Sequence, residues 1–160
     1  MSLSRALFTS TSPSWATPDA LYRQLDAEFH FDHDPCKLND ATIWDGKTAS
    51  WRGKRVYCNP PYGPGIGEWL AKAREADLAV YLLPARTDTA WWHDLALKAD
   101  EIRFVRGRLK CGGSKNSAPF PSVILVYWQT CLQCKHAGHG KRRCEVIVDV
   151  YEMCSCGAAA

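Results

Sequence analysis

From Ile102 to Cys144 the chain contains no aspartate or glutamate. The same span carries Arg103, Arg106, Arg108, Lys110, Lys115, Lys135, Lys141, Arg142 and Arg143. The formal net charge of the whole chain is only +3, so the segregation of charge is the signal. A one-sided basic stretch is the footprint of a polyanion, and it favours nucleic acid over a bare solvated face. Long apolar runs are also missing: none approaches the roughly 20 residues that span a bilayer, so no membrane partner is expected. Met1 to Pro13 is rich in Ser and Thr, with Arg5 its only charged side chain. It lacks the apolar core of a secretory leader, and the expectation is a soluble cytoplasmic protein. Without such a leader, the eight cysteines read as reduced thiols or metal ligands rather than a disulfide framework.

At 160 residues with 46% hydrophobic content, one domain with a real core is expected. Its most informative stretch is Arg55-Val56-Tyr57-Cys58-Asn59-Pro60-Pro61-Tyr62-Gly63, a short buried strand running into a rigid turn. The prolines fix φ and remove two backbone donors, and they bias the preceding residues away from helix. The Asn59 side-chain oxygen, the Pro60 carbonyl and the Tyr62 ring suit a flat ring bearing an NH2 group. Two acceptors take its hydrogens and the tyrosine stacks on its face. The competing reading is an ordinary strand exit, since Asn-Pro and Pro-Tyr are common turn signals.

The surrounding pattern is α/β. Residues 1–14 read as a flexible lead-in. Thr17 is placed to cap a helix with Pro18 in its first turn, and Leu21, Tyr22, Leu25 and Phe29 form its apolar stripe. A short strand is expected over Phe29 to Asp34, and a second over Val56 to Cys58. A helix follows over Glu68 to Ala76. Leu78 to Pro84 is apolar throughout, as in a strand covered on both faces of a parallel sheet. A helix beginning at Thr87 or Asp88 runs to Ala99, with Trp91 and Trp92 expected in the core. Strands over Glu101 to Val105 and Ser122 to Trp128 complete the set. Ligands in such sheets bind beyond the carboxyl ends of the strands. Asp34-Pro35-Cys36, Asn59 to Tyr62 and Pro84 to Thr87 all fall there, so a cleft along one edge is expected.

This ordered set resembles the phage and prophage DNA N-6-adenine methyltransferases. The resemblance runs from Trp15 to about Trp128. It is carried by Trp15-x-Thr17-Pro18, Asp34-Pro35-Cys36, Trp51, Asn59-Pro60-Pro61-Tyr62-Gly63, Trp69, Lys72 and Ala73. Leu83 to Thr89, Phe104, Gly107 to Lys110 and Ala118 to Ser122 complete it. It implies a reduced Rossmann-like sheet with flanking helices over 15–128, and methyl transfer from S-adenosylmethionine to the N6 amine of adenine in DNA. The catalytic residues implied are Asn59, Pro60, Pro61 and Tyr62, with the target base flipped out of the duplex. Trp15, Thr17, Pro18, Asp34, Pro35 and Cys36 are implied to bind the cofactor. Arg86, Arg106, Arg108 and Lys110 are implied to contact the nucleic acid. The chain departs from the family pattern after Cys36, where Lys37-Leu38-Asn39 replaces a Gly-rich turn. Either a reduced sheet holds the cofactor or Asp45 and its neighbours make the ribose contact, and Asp34 has a turn-capping reading as well. The alternatives to a DNA enzyme are a non-catalytic DNA-binding module on the same fold and an RNA adenine methyltransferase.

Residues 129–160 form a Cys/His-rich extension outside the resemblance. Cys131, Cys134 and Cys144, with His136 or His139, have the donor chemistry of a tetrahedral Cys3His zinc site; free thiols are the alternative. Alternation over Glu145 to Tyr151 predicts a strand that forms a C-terminal β-hairpin with Ser122 to Trp128, the Cys/His segment at its tip.

Overall fold

The computed structural model describes residues 15–36, 46–110 and 117–129. Four strands form one mixed sheet: β1 (Arg55–Cys58), β2 (Leu78–Pro84), β3 (Glu101–Phe104) and β4 (Ser122–Trp128), in spatial order β1-β2-β4-β3. β1 and β2 are parallel, whereas β4 runs antiparallel to both β2 and β3. The helices among the described residues are α1 (Asp19–Phe29), α2 (Ile66–Ala71) and α3 (Ala90–Asp94). α2 and α3 each lead to a short 3-10 turn, over Lys72–Glu75 and Ala96–Lys98.

Side chains on successive strand residues point to opposite faces, and the core divides accordingly. Val56, Cys58, Ala79, Tyr81, Leu83, Val123 and Leu125 pack with Trp51, Ile66, Trp69, Leu70 and Trp92 on the α2 and α3 face. Tyr57, Leu78, Val80, Leu82, Ile124 and Val126 pack with Leu25 and Phe29 of α1 on the other. Every residue of β2 is buried, which explains its unbroken apolar run. The strand is covered on both faces as expected, but one of its neighbours is antiparallel.

Polar contacts outside the sheet fix the helices and loops to it. Arg103 on β3 donates two 2.7 Å bonds to the Glu28 carboxylate on α1 and also bonds Glu101. Its guanidinium lies 5.1 Å from the centre of the Phe29 ring. This arginine, counted in the basic stretch, joins helix to sheet. Trp51 is fully buried, and its indole N–H donates to the Gly46 carbonyl at 2.9 Å. Gly46 is itself pressed against the turn before it: a Cβ there would lie 2.4 Å from the Pro35 carbonyl oxygen. Only glycine permits that approach.

Several expected boundaries shift. The helix cap is Pro18, not Thr17, because the Thr17 hydroxyl is engaged elsewhere. The expected strand over Phe29 to Asp34 is a single parallel bridge between His33 and Val56, flanked by the Asp32 N–H to Arg55 and Tyr57 N–H to His33 bonds. The Thr87 to Ala99 helix is divided: Thr87 and Asp88 form a turn, and α3 ends at Asp94. The expected C-terminal hairpin meets a direct obstacle. β4 is paired with β2 along one side and β3 along the other, so no open edge faces a hairpin partner over Val123 to Val126. Glu145 to Tyr151 and the rest of 130–160 lie outside the described residues, as do the lead-in 1–14 and Asp45.

Candidate active site

β1, β2 and β3 point the same way, and the His33 bridge to β1 is parallel. Their carboxyl ends therefore share one edge of the sheet with the start of β4, where Pro84 pairs with Ser122. The expected edge is formed by Asp34 to Cys36, Asn59 to Tyr62 and Ala85 to Asp88. The segment 117–121 joins it, tied to the β2 exit by the Ala85 N–H to Pro121 carbonyl bond of 2.9 Å.

Asn59 lies on this edge at the exit of β1. It follows β1 and is partly buried. Its side-chain nitrogen donates to the Trp15 carbonyl and, at 3.0 Å, to the Thr17 hydroxyl. A primary amide nitrogen has two hydrogens to give, so both are used. The amide oxygen is buried and accepts no hydrogen bond among the described residues. A buried acceptor left without a donor carries a desolvation cost of about 1–3 kcal/mol, which an incoming N–H removes. Pro60 is buried and Pro61 exposed, so the turn is pinned at its first proline.

Aromatic rings flank the asparagine. Phe120 meets Trp15 edge-on at 5.5 Å and Tyr62 edge-on at 5.4 Å. The Tyr62 hydroxyl donates to the Leu82 carbonyl at 3.4 Å, a long bond that leans the ring over the end of β2. Phe120 was not among the residues expected in the site. Its signal was its setting: between Pro119 and Pro121 the backbone is stiff and extended, and a phenylalanine there is held away from any helix or ladder.

The residues implied to bind the cofactor divide. Trp15 and Thr17 are on Asn59, with Pro18 at the start of α1. Asp34 and Cys36 stand on the neighbouring exit, where an Asp34 carboxylate oxygen accepts the Cys36 N–H at 2.9 Å. That is the turn-capping role. The Cys36 and Cys58 sulfurs are 3.5 Å apart. Burial, reinforced by the Cys36 thiol, pushes the Cys58 thiol far up, so Cys58 is a protonated packing residue and not a nucleophile. Tyr57, which sequence reasoning also missed, places its hydroxyl 2.6 Å from that of Thr17. Burial holds its phenol well above the usual range, although the Thr17 bond opposes that shift.

Of the residues implied to meet nucleic acid, Arg86 forms a bidentate pair with Asp88 at 2.9 and 3.0 Å on the turn after β2. That pair holds its guanidinium raised and the Asp88 carboxyl lowered. Arg106, Arg108 and Lys110 are exposed beyond β3, on the same edge. Among the described residues no group of three or more His, Cys, Asp or Glu side chains is arranged to hold a metal. Cys131, Cys134, His136, His139 and Cys144 lie outside them. Nor is any described helix long and apolar enough to cross a membrane.

The described residues thus form a mixed α/β sheet whose strand exits carry Asn59 and the aromatic rings of Trp15, Tyr62 and Phe120. Residues 6–136 match the family model for DNA N-6-adenine-methyltransferase (Dam), most of the chain, and the chain belongs to that family. No solved structure matches it.

Proposed function

We propose that the protein transfers a methyl group from S-adenosylmethionine to the N6 amine of adenine in DNA, the adenine being flipped from the duplex into the pocket at Asn59 to Tyr62. The observation that carries this reading is the Asn59 amide oxygen, buried and without a donor among the described residues while its nitrogen is fully engaged. An adenine amine is a poor nucleophile because its lone pair is delocalised into the ring. The Asn59 oxygen and the Pro60 carbonyl accept its two N–H bonds and draw the nitrogen toward tetrahedral geometry. Tyr62 and Phe120 hold the ring plane, with stacking worth roughly 1–3 kcal/mol per base. Positioning then supplies most of the acceleration.

The residues present fit a methyl donor beside this pocket. The Asp34–Cys36 turn adjoins β1 on the same edge, and its carboxylate and the Trp15 ring suit a cationic sulfonium; these two residues and Cys36 would hold it. When bound, the donor supplies an electrophilic methyl group. Arg106, Arg108 and Lys110 contact phosphates, which position rather than specify.

The test is labelled methyl transfer to duplex DNA, single-stranded DNA and RNA, with calorimetry of S-adenosylmethionine binding alongside. The expected result is N6-methyladenine in DNA and measurable donor binding. DNA binding without donor binding would mark a non-catalytic module, and label in RNA alone would make the substrate RNA.

A further inference from the structure

We propose that Thr17 is a positioning residue: its hydroxyl, anchored on Tyr57, fixes the direction in which the Asn59 amide faces. This inference rests on the proposed base-binding role of Asn59. It assigns Thr17 to that asparagine in place of the implied cofactor contact.

The Trp15 carbonyl can only accept, so the atom of Asn59 that meets it must be the nitrogen. That contact alone leaves the amide free to pivot. The second N–H goes to Thr17 Oγ1 at 3.0 Å, and two fixed acceptors define a plane where one defines only a direction. The amide oxygen then faces the remaining side, where it is buried and accepts nothing among the described residues.

Thr17 has to be held in turn, because it precedes α1 and no side-chain cap bond ties it to that helix. The Tyr57 hydroxyl 2.6 Å away holds it. Tyr57 is buried on β1, with its ring 5.0 Å from Tyr22 and 5.3 Å from Phe31. Tyr57 and Asn59 are two residues apart on one extended segment, so both side chains lie on the same face. The strand thus grips Thr17 through Tyr57, and Thr17 returns the constraint to Asn59. A hydroxyl is needed because it accepts from the amide while it shares a hydrogen with the phenol; a methyl group of equal size does neither.

The experiment compares Thr17→Val, Thr17→Ser and Tyr57→Phe with the parent, the chain being labelled with 15N-asparagine. Asn39 and Asn116 are the other asparagines, and the Asn59 side-chain signals are those missing in Asn59→Ala. The parent should show slow hydrogen exchange at the Asn59 amide. Thr17→Val should speed that exchange about tenfold and lower kcat about tenfold, as expected for one lost hydrogen bond. Donor Kd and DNA KM should stay within about twofold, since neither binding uses the lost bond. Thr17→Ser should restore both exchange and kcat. Tyr57→Phe keeps the ring and removes the anchor, so it should move exchange in the same direction even if Thr17→Val fails to fold. A raised donor Kd with unchanged exchange would overturn the inference and return Thr17 to the cofactor. Exchange that responds to Thr17 in a parent that methylates nothing would uphold the amide geometry and overturn the proposed function.

Discussion

The side-chain amide of Asn59 donates to the main-chain carbonyl of Trp15, a residue 44 positions earlier in the chain. That contact makes the residue type at position 59 a physical requirement. Asn59→Asp would set a carboxylate oxygen against the Trp15 carbonyl, acceptor against acceptor. Methyl transfer to adenine should fall on the order of a hundredfold, the usual scale for losing a positioned polar group at a reacting atom. Single-turnover rates on saturating DNA would check it.

Phe120 touches both Trp15 and Tyr62 edge-on, and on this account it forms one wall of the base pocket. Phe120→Ala should weaken binding of DNA carrying 2-aminopurine at the target position by about tenfold, within the 1–3 kcal/mol range for a base stacked on an aromatic ring. The fluorescence of the flipped base gives the readout. Phe120→Tyr should stay near parent affinity.

The Arg103 hydrogen bonds hold the Glu28 carboxyl below its ordinary value. A carboxylate lowered on folding stabilises the protein above its unfolded pKa, and that contribution disappears as pH falls through the folded pKa. Glu28→Gln should therefore lower Tm at pH 7, and the difference should shrink as pH falls from 7 into the acid range. Both groups are partly exposed, so the difference at pH 7 should be about 0.2–1 kcal/mol. Thermal melts of the two proteins across that range measure it.

Trp51 fills the α2-side core and donates to the Gly46 carbonyl. Trp51→Ala should cost about 3–5 kcal/mol through the cavity it leaves. Trp51→Phe should cost less, about 1–3 kcal/mol, chiefly from the Gly46 carbonyl left without its donor. Urea midpoints at constant m separate the two.

What could be read from the sequence follows the range of the forces involved. β2 and β4 occupy Leu78–Pro84 and Ser122–Trp128, as expected, because a strand buried on both faces must be apolar throughout. The turn after Val56 to Cys58 was legible because proline acts on its own neighbours. Thr17 was misjudged as a cap because capping is a local preference. Its hydroxyl is instead satisfied by Tyr57 and Asn59, 40 and 42 residues away. The strand expected over Phe29 to Asp34 reduces to one bridge because the segment turns at Pro35 immediately afterwards. Alternation also cannot tell which edge of β4 is free, so pairing with Glu145 to Tyr151 looked available. In the fold, β2 and β3 hold both sides. The motif at Asn59 and the residues Trp15 and Thr17 were visible in the sequence, whereas the bonds that join them were not, since 44 and 42 positions separate the partners in the chain.

The central claim is that the Asn59 amide oxygen receives the amine of the target adenine. It is tested most directly by the single-turnover methylation rate of Asn59→Ala on duplex DNA, with donor and DNA both saturating. The account predicts a loss of at least about a hundredfold in that rate. An Asn59→Ala protein that methylates adenine as fast as the parent would contradict it.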